Sequence, residues 1–166
     1  MIIQKGDIIL YHGKTWFEKL IRWFTDSAYS HVGIAYDISE DKIEVAQALY
    51  QGFVKTEESV INLLDCKNIT IMRVSKHYPL KDIQENIDKY IGIGYGFIAL
   101  LGIVIYRLTG KVMFIDNAKL LICSEAVGLV LKDCNAKVDM SVEYNKPFDL
   151  ITPENVAMSK YIKIVR

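Results

Sequence analysis

A chain of 166 residues is long enough to bury roughly two-thirds of its unfolded surface without help from metals or disulfides. Its 51% hydrophobic content, with two Trp, ten Tyr and six Phe, excludes a disordered chain. Twenty basic residues balance twenty acidic ones, which excludes a phosphate-tracking surface and argues against a nucleic-acid partner.

Three cysteines, Cys66, Cys123 and Cys134, form no C-x-x-C pair, which fits neither a disulfide framework nor a zinc site. No metal or other cofactor is expected. The opening "MIIQKGDIIL" lacks a basic segment followed by a long apolar one, so no secretory signal is read and a reducing, cytoplasmic setting is expected. With no linker, repeat or composition break, residues 1–166 are read as one domain.

In chain order, "GDIILYHG" predicts a short strand. Thr15 and Glu18 match a capping box, and Phe17, Leu20, Ile21 and Phe24 recur at helical spacing behind it. "HVGIAYD" and "KIEVAQAL" predict a hairpin turning at "ISED", followed by strands in "GFVKT" and "NITIMRV". Leu80, Ile83, Ile87 and Tyr90 mark a helix stripe, with Pro79 suited to its first turn. Residues Ile91–Tyr106 carry no charge, but the run is shorter than the roughly 20 residues that span hydrocarbon, and its glycines weaken a helix. It predicts a buried segment, with membrane-surface contact as the alternative and no transmembrane span. "CSEAVGLVLKD" predicts a helix with Cys123 in its first turn, and "YIKIVR" a closing strand. The sum is an α+β fold, an antiparallel sheet with helices packed on it.

Two residues in this order carry chemistry. A thiol attacks as thiolate, and the free N–H groups and dipole at a helix start stabilise that anion, so Cys123 is placed to be a nucleophile. The same amides suit the oxyanion of a tetrahedral intermediate. His31 opens a strand, where an imidazole reaches a sheet edge. If the hairpin turns about Ser39, Gly33 faces Gln47, and Gln47 is the polar side chain diagonal to His31. Glu44 competes for that place, but the same register sets it opposite Tyr36, roughly 15 Å along the strand. Against this, buried cysteines and histidines are commonly plain core residues.

At this point "GDIIL", "YSHVGIAYD", "VAQALYQGFV", "IGIGYGF", "LICSEAVGLVL" and "DLITPENV" together resemble the circularly permuted NlpC-type, papain-like cysteine peptidases and amidases. YiiX-like proteins and lecithin:retinol acyltransferase-like enzymes are among the relatives of that group. The resemblance implies a barrel-like antiparallel sheet and a catalytic trio of Cys123, His31 and Gln47. It carries Tyr95 over as a pocket residue, and Tyr29, Asp7 and Ser124, within the same motifs, are taken with it as pocket lining. The sequence departs from the pattern twice: Gln47 stands where an acid is common, and Gly96 replaces another acid. An amide orients an imidazole but stabilises its cation less than a carboxylate does.

The function expected is thiol hydrolysis of an amide or isopeptide bond, in a peptide of cell-wall type, through an acyl-enzyme. Lipid acyl transfer or thioester hydrolysis by the same thiol, and a binding module without catalysis, are the alternatives. His12 is a further pocket candidate, while His77, Cys66 and Cys134 are read as bystanders in polar surroundings, and Trp16 and Trp23 as core or helix-face residues.

Overall fold

In a computed structural model, residues 3–13, 19, 22–23, 26–96, 109 and 120–165 are described. The capping box at Thr15 and Glu18, the helix stripe of Phe17, Leu20, Ile21 and Phe24 behind it, Trp16 and the Phe97–Tyr106 run lie outside these residues. Six strands form one antiparallel sheet: β1 (Ile8–Tyr11), β2 (His31–Ile38), β3 (Lys42–Leu49), β4 (Gly52–Ser59), β5 (Ile69–Val74) and β8 (Ile162–Ile164). Their order is β4-β3-β2-β1-β5-β8, so β4 and β8 are edges and the sheet is open, not the closed barrel-like form expected. A short parallel pair, β6 (Gly94–Tyr95) and β7 (Leu120–Leu121), forms a separate ladder packed beside β4.

The β2–β3 hairpin has the register that alternation of apolar residues predicts, with Gly33 opposite Gln47 and Ile34 opposite Ala46. One detail differs. An irregularity between Ala35 and Asp37 shifts the ladder by one, so Glu44 faces Asp37 rather than Tyr36. The extra residue of a bulge produces this kind of offset. Glu44 therefore stays at the turn end, away from His31.

Both faces of the sheet are covered, which explains the long apolar runs in β1 and β2. On one face Ile8, Leu10, Val32, Ile34, Ala46 and Phe53 pack with the helix α3 (Cys123–Cys134), whose Ala126, Val127, Val130 and Leu131 are fully buried. Each such Val or Leu contributes roughly 1.5–3 kcal/mol by leaving water. The other face gathers Ile9, Ala35, Ile43, Val45 and Ile71 under Leu63 of the short helix α1 (Val60–Asp65), which the sequence reading did not predict.

The stripe after Pro79 is helical only as α2 (Ile83–Asp88). Pro79 is not in its first turn, because residues 79–81 are tied to the end of α3: Asn135 Nδ2 donates to the Pro79 carbonyl at 3.0 Å and the Lys81 amide to the Cys134 carbonyl at 3.2 Å. The chain closes through α4 (Met140–Tyr144), a 3-10 turn (Phe148–Leu150) and α5 (Pro153–Met158) before β8. The "TP" pair opens α5, with Thr152 Oγ1 accepting the Asn155 amide and Pro153 in the first turn, where a missing N–H costs nothing.

Candidate active site

Cys123 is the first residue of α3, a position reached directly from β7. The helix packs against β2 so that the thiol, itself buried, meets the strand at its first residues. Burial alone raises a thiol pKa. Here the charge and hydrogen bond of His31, followed by the backbone amides of Val32 and Ser124, reverse that effect and leave Cys123 below its ordinary value. The His31 imidazole shows the mirror image: burial pushes it down, but the Cys123 charge and hydrogen bond, aided by Gln47 and Glu58, leave it raised. Both directions favour the thiolate and imidazolium forms of one coupled Cys123–His31 pair.

His31 Nε2 and Gln47 Oε1 lie 2.8 Å apart, so the diagonal contact predicted from the hairpin is formed. An amide oxygen only accepts, so Nε2 carries the proton and Nδ1 is left for the thiol. Behind Gln47 stands a residue that the sequence reading missed. Gln47 Nε2 donates to Thr56 Oγ1 and to Glu58 Oε1, and the Tyr11 hydroxyl donates to the same Glu58 oxygen at 2.8 Å. Tyr11 pairs with His31 across β1 and β2, and their ring centroids are 5.4 Å apart. Burial first, and then Glu58, push the Tyr11 phenol far above its ordinary pKa, so it stays a donor. The period-2 pattern of "GFVKTEES" held the only signal: Thr56 and Glu58 alternate with exposed Lys55 and Glu57.

Of the pocket candidates, Tyr95 joins this cluster. The pairing of β6 with β7 sets Tyr95 opposite Leu121, two residues before Cys123, and burial followed by the Cys123 charge raises its phenol pKa. Tyr29, partly buried, packs its ring against His12 with centroids 4.4 Å apart and planes tilted by 46°, and the His12 nitrogens lie 3.1 Å from the Ala28 carbonyl and 3.1 Å from Thr70 Oγ1. That pair braces the loop leading to His31.

Two candidates are corrected. Asp7 is fully buried but accepts from Arg73 Nε at 2.6 Å, from Arg73 Nη2 at 2.7 Å and from the Gln4 amide at 2.8 Å. Its carbonyl accepts the Ala35 amide, four residues along the ladder from His31, so it ties the N-terminal segment to β5 rather than lining the site. Ser124 has a fully buried hydroxyl that donates to the Ile151 carbonyl at 2.6 Å, and only its amide faces the thiol. Cys134, read as a residue of a polar loop, is instead the buried last residue of α3, and burial raises its thiol to about 11.

These features define an α+β protein with an open antiparallel sheet and a thiol at a helix start facing a histidine at the head of a strand. The fold is similar to that of a solved protein, the metalloprotein YiiX (DUF1105) of Escherichia coli O157:H7, with a TM-score of 0.64 and 18% identity over 98% of this chain and 96% of that one. No protein-family model matches the sequence, and no curated protein does. Among the described residues no helix is long and apolar enough to cross a membrane.

Proposed function

We propose that this protein is a thiol hydrolase of the permuted papain-like type, acting on an amide or isopeptide bond in a peptide-like substrate. The observation that carries the reading is the chain Cys123–His31–Gln47, with the imidazole hydrogen-bonded to the thiol on one side and 2.8 Å from an amide oxygen on the other. In the first step the Cys123 sulfur bonds to the substrate carbonyl carbon, and the oxyanion faces the N–H groups at the start of α3. His31 Nδ1 gives its proton to the departing nitrogen as the C–N bond breaks, leaving a thioester. A water then loses a proton to Nδ1 and attacks the thioester, and the thiolate departs.

The similar fold is that of a metalloprotein, and the donor set of the described residues differs from what a metal centre requires. No group of three or more His, Cys, Asp or Glu side chains among the described residues can hold an ion, and the cluster offers only one thiol and one imidazole as good ligands.

The test is labelling of the folded protein with iodoacetamide and with a lipid-mimetic electrophile, mapped by peptide mass, together with turnover of amide and thioester substrates. Preferential alkylation of Cys123 and amide turnover abolished by Cys123→Ala are expected. Turnover of lipid thioesters alone would favour acyl transfer, and activity that survives Cys123→Ala would end the hydrolase reading.

A further inference from the structure

We propose that Glu58 is a positioning residue of this site: it fixes which way the Gln47 amide faces and sets, one group behind His31, the negative charge that the Gln47 side chain lacks. The inference rests on the hydrolase reading above.

The geometry leaves little choice. A carboxylate accepts and does not donate, so the side of the Gln47 amide that meets Glu58 Oε1, at 3.3 Å, must be its NH2 group. The oxygen then turns to His31 Nε2 at 2.8 Å. Were Glu58 neutral and able to donate, only the Thr56 Oγ1 contact, whose own hydroxyl donates to the Val45 carbonyl, would oppose a half-turn of the amide that presents N–H to Nε2. That would demand the other tautomer and take the base away from the thiol. The Tyr11 hydroxyl, donating to the same Glu58 oxygen at 2.8 Å, holds the carboxylate in place from β1. The directed chain runs from Tyr11 and Gln47, both donors, into Glu58, and from His31 into the Gln47 oxygen.

Position alone distinguishes Glu58 from its neighbour. Glu57, on the opposite face of β4, pairs with Lys42 Nζ at 2.6 Å and is exposed. Glu58 is partly buried and faces Tyr11 of β1 and Gln47 of β3, with His31 of β2 beyond the amide and Cys123 and Tyr95 beyond the imidazole. Its charge is therefore among the influences that keep the His31 imidazolium stable. The site keeps an acid, moved from the third position to one place behind it.

Glu58→Gln separates charge from shape, since it retains an acceptor oxygen for both donors. In the full chain with 13C-labelled histidine, the His31 titration midpoint is expected to fall by about one pH unit, the scale of one nearby charge at a partly exposed site. Cys123 alkylation near neutral pH should fall about tenfold with it. The double change Gln47→Glu with Glu58→Gln moves the carboxylate into contact with His31 and should restore the midpoint. An unchanged midpoint in Glu58→Gln, with Cys123 still the fastest thiol, overturns the role of Glu58 and leaves the hydrolase reading standing. If Cys123 is not the fastest thiol in the unaltered protein, the hydrolase reading itself fails. Should Glu58→Gln not fold, a double variant whose midpoint stays low overturns the proposal equally.

Discussion

His31 and Gln47 touch through their side chains, Nε2 to Oε1 at 2.8 Å, although the Cα partner of Gln47 in the ladder is Gly33. Gly33 leaves room beside this contact, since a Cβ built there would lie 3.3 Å from Gln47 Cβ. Gln47→Ala removes the acceptor and frees the imidazole to change tautomer. Turnover should fall roughly ten- to a hundredfold, equivalent to about 1.4–3 kcal/mol of transition-state stabilisation, with the fold intact. Gln47→Glu alone should not exceed the parent, since it sets a second carboxylate against Glu58. Glu44→Gln should change little, because Glu44 sits opposite Asp37 near the turn. Steady-state kinetics of the three variants decide this, and loss of activity in Glu44→Gln but not in Gln47→Ala would refute the pairing.

The three thiols should differ in reactivity in a way that pH exposes. Cys123 lies below its ordinary pKa through its pairing with His31, so alkylation should reach its plateau at a lower pH than for a thiol at the ordinary value of 9.0. Cys134 is held near 11 by burial and should react only in strong alkali or on unfolding. Turnover needs the thiolate and the imidazolium together. It should therefore rise as pH climbs through the lowered thiol value and fall as pH climbs through the raised imidazole value, which lies above 6.5. A profile with a single rising limb at the pH of an ordinary thiol would mean that the pair does not form.

The hairpin was legible because two clean apolar runs and a polar turn admit one register that keeps the apolar sides buried. That register alone sets Gln47 beside His31. Local pattern is silent on long-range partners, which is why Glu58 was missed: its donors come from positions 11 and 47, in strands that the sequence does not order. The same limit led to Asp7 being grouped with the pocket. An acid beside a turn in "GDIIL" looks available until Arg73, 66 residues later, is found against it. The open sheet was also out of reach, since closure depends on whether the two edge strands meet.

Asp7→Asn tests that correction through stability. The Asp7 side chain is almost wholly buried while Arg73 remains about one-third exposed, 1% against 29%, so the loss should fall below the 3–5 kcal/mol of a fully buried pair. A loss of about 2 kcal/mol, or a melting temperature lowered by roughly 4–8 °C, is expected. Turnover of the folded variant at low temperature should match the parent. A large drop in kcat/KM without a change in melting would return Asp7 to the pocket.

Gly33→Ala probes the tightness of the site without removing any polar group. A Cβ built there would lie 2.7 Å from Val45 Cγ1, 3.3 Å from the Ala46 carbonyl oxygen and 3.3 Å from Gln47 Cβ. The backbone at Gly33 lies in an ordinary strand, so the difficulty is space and not conformation. Val45 is fully buried and cannot swing into solvent, so β3 itself must yield, and Gln47 moves with it. Overpacking of this kind costs about 1–3 kcal/mol. The kinetic effect should be larger than that of an ordinary core change, because a displacement of about 1 Å of a positioning group can lower turnover as much as a hundredfold. Thermal melting and kcat/KM measured on the same preparation separate the two. A variant that melts lower yet keeps full kcat/KM would show that Gln47 tolerates displacement, and hence that the contact with His31 is not what sets the imidazole in place.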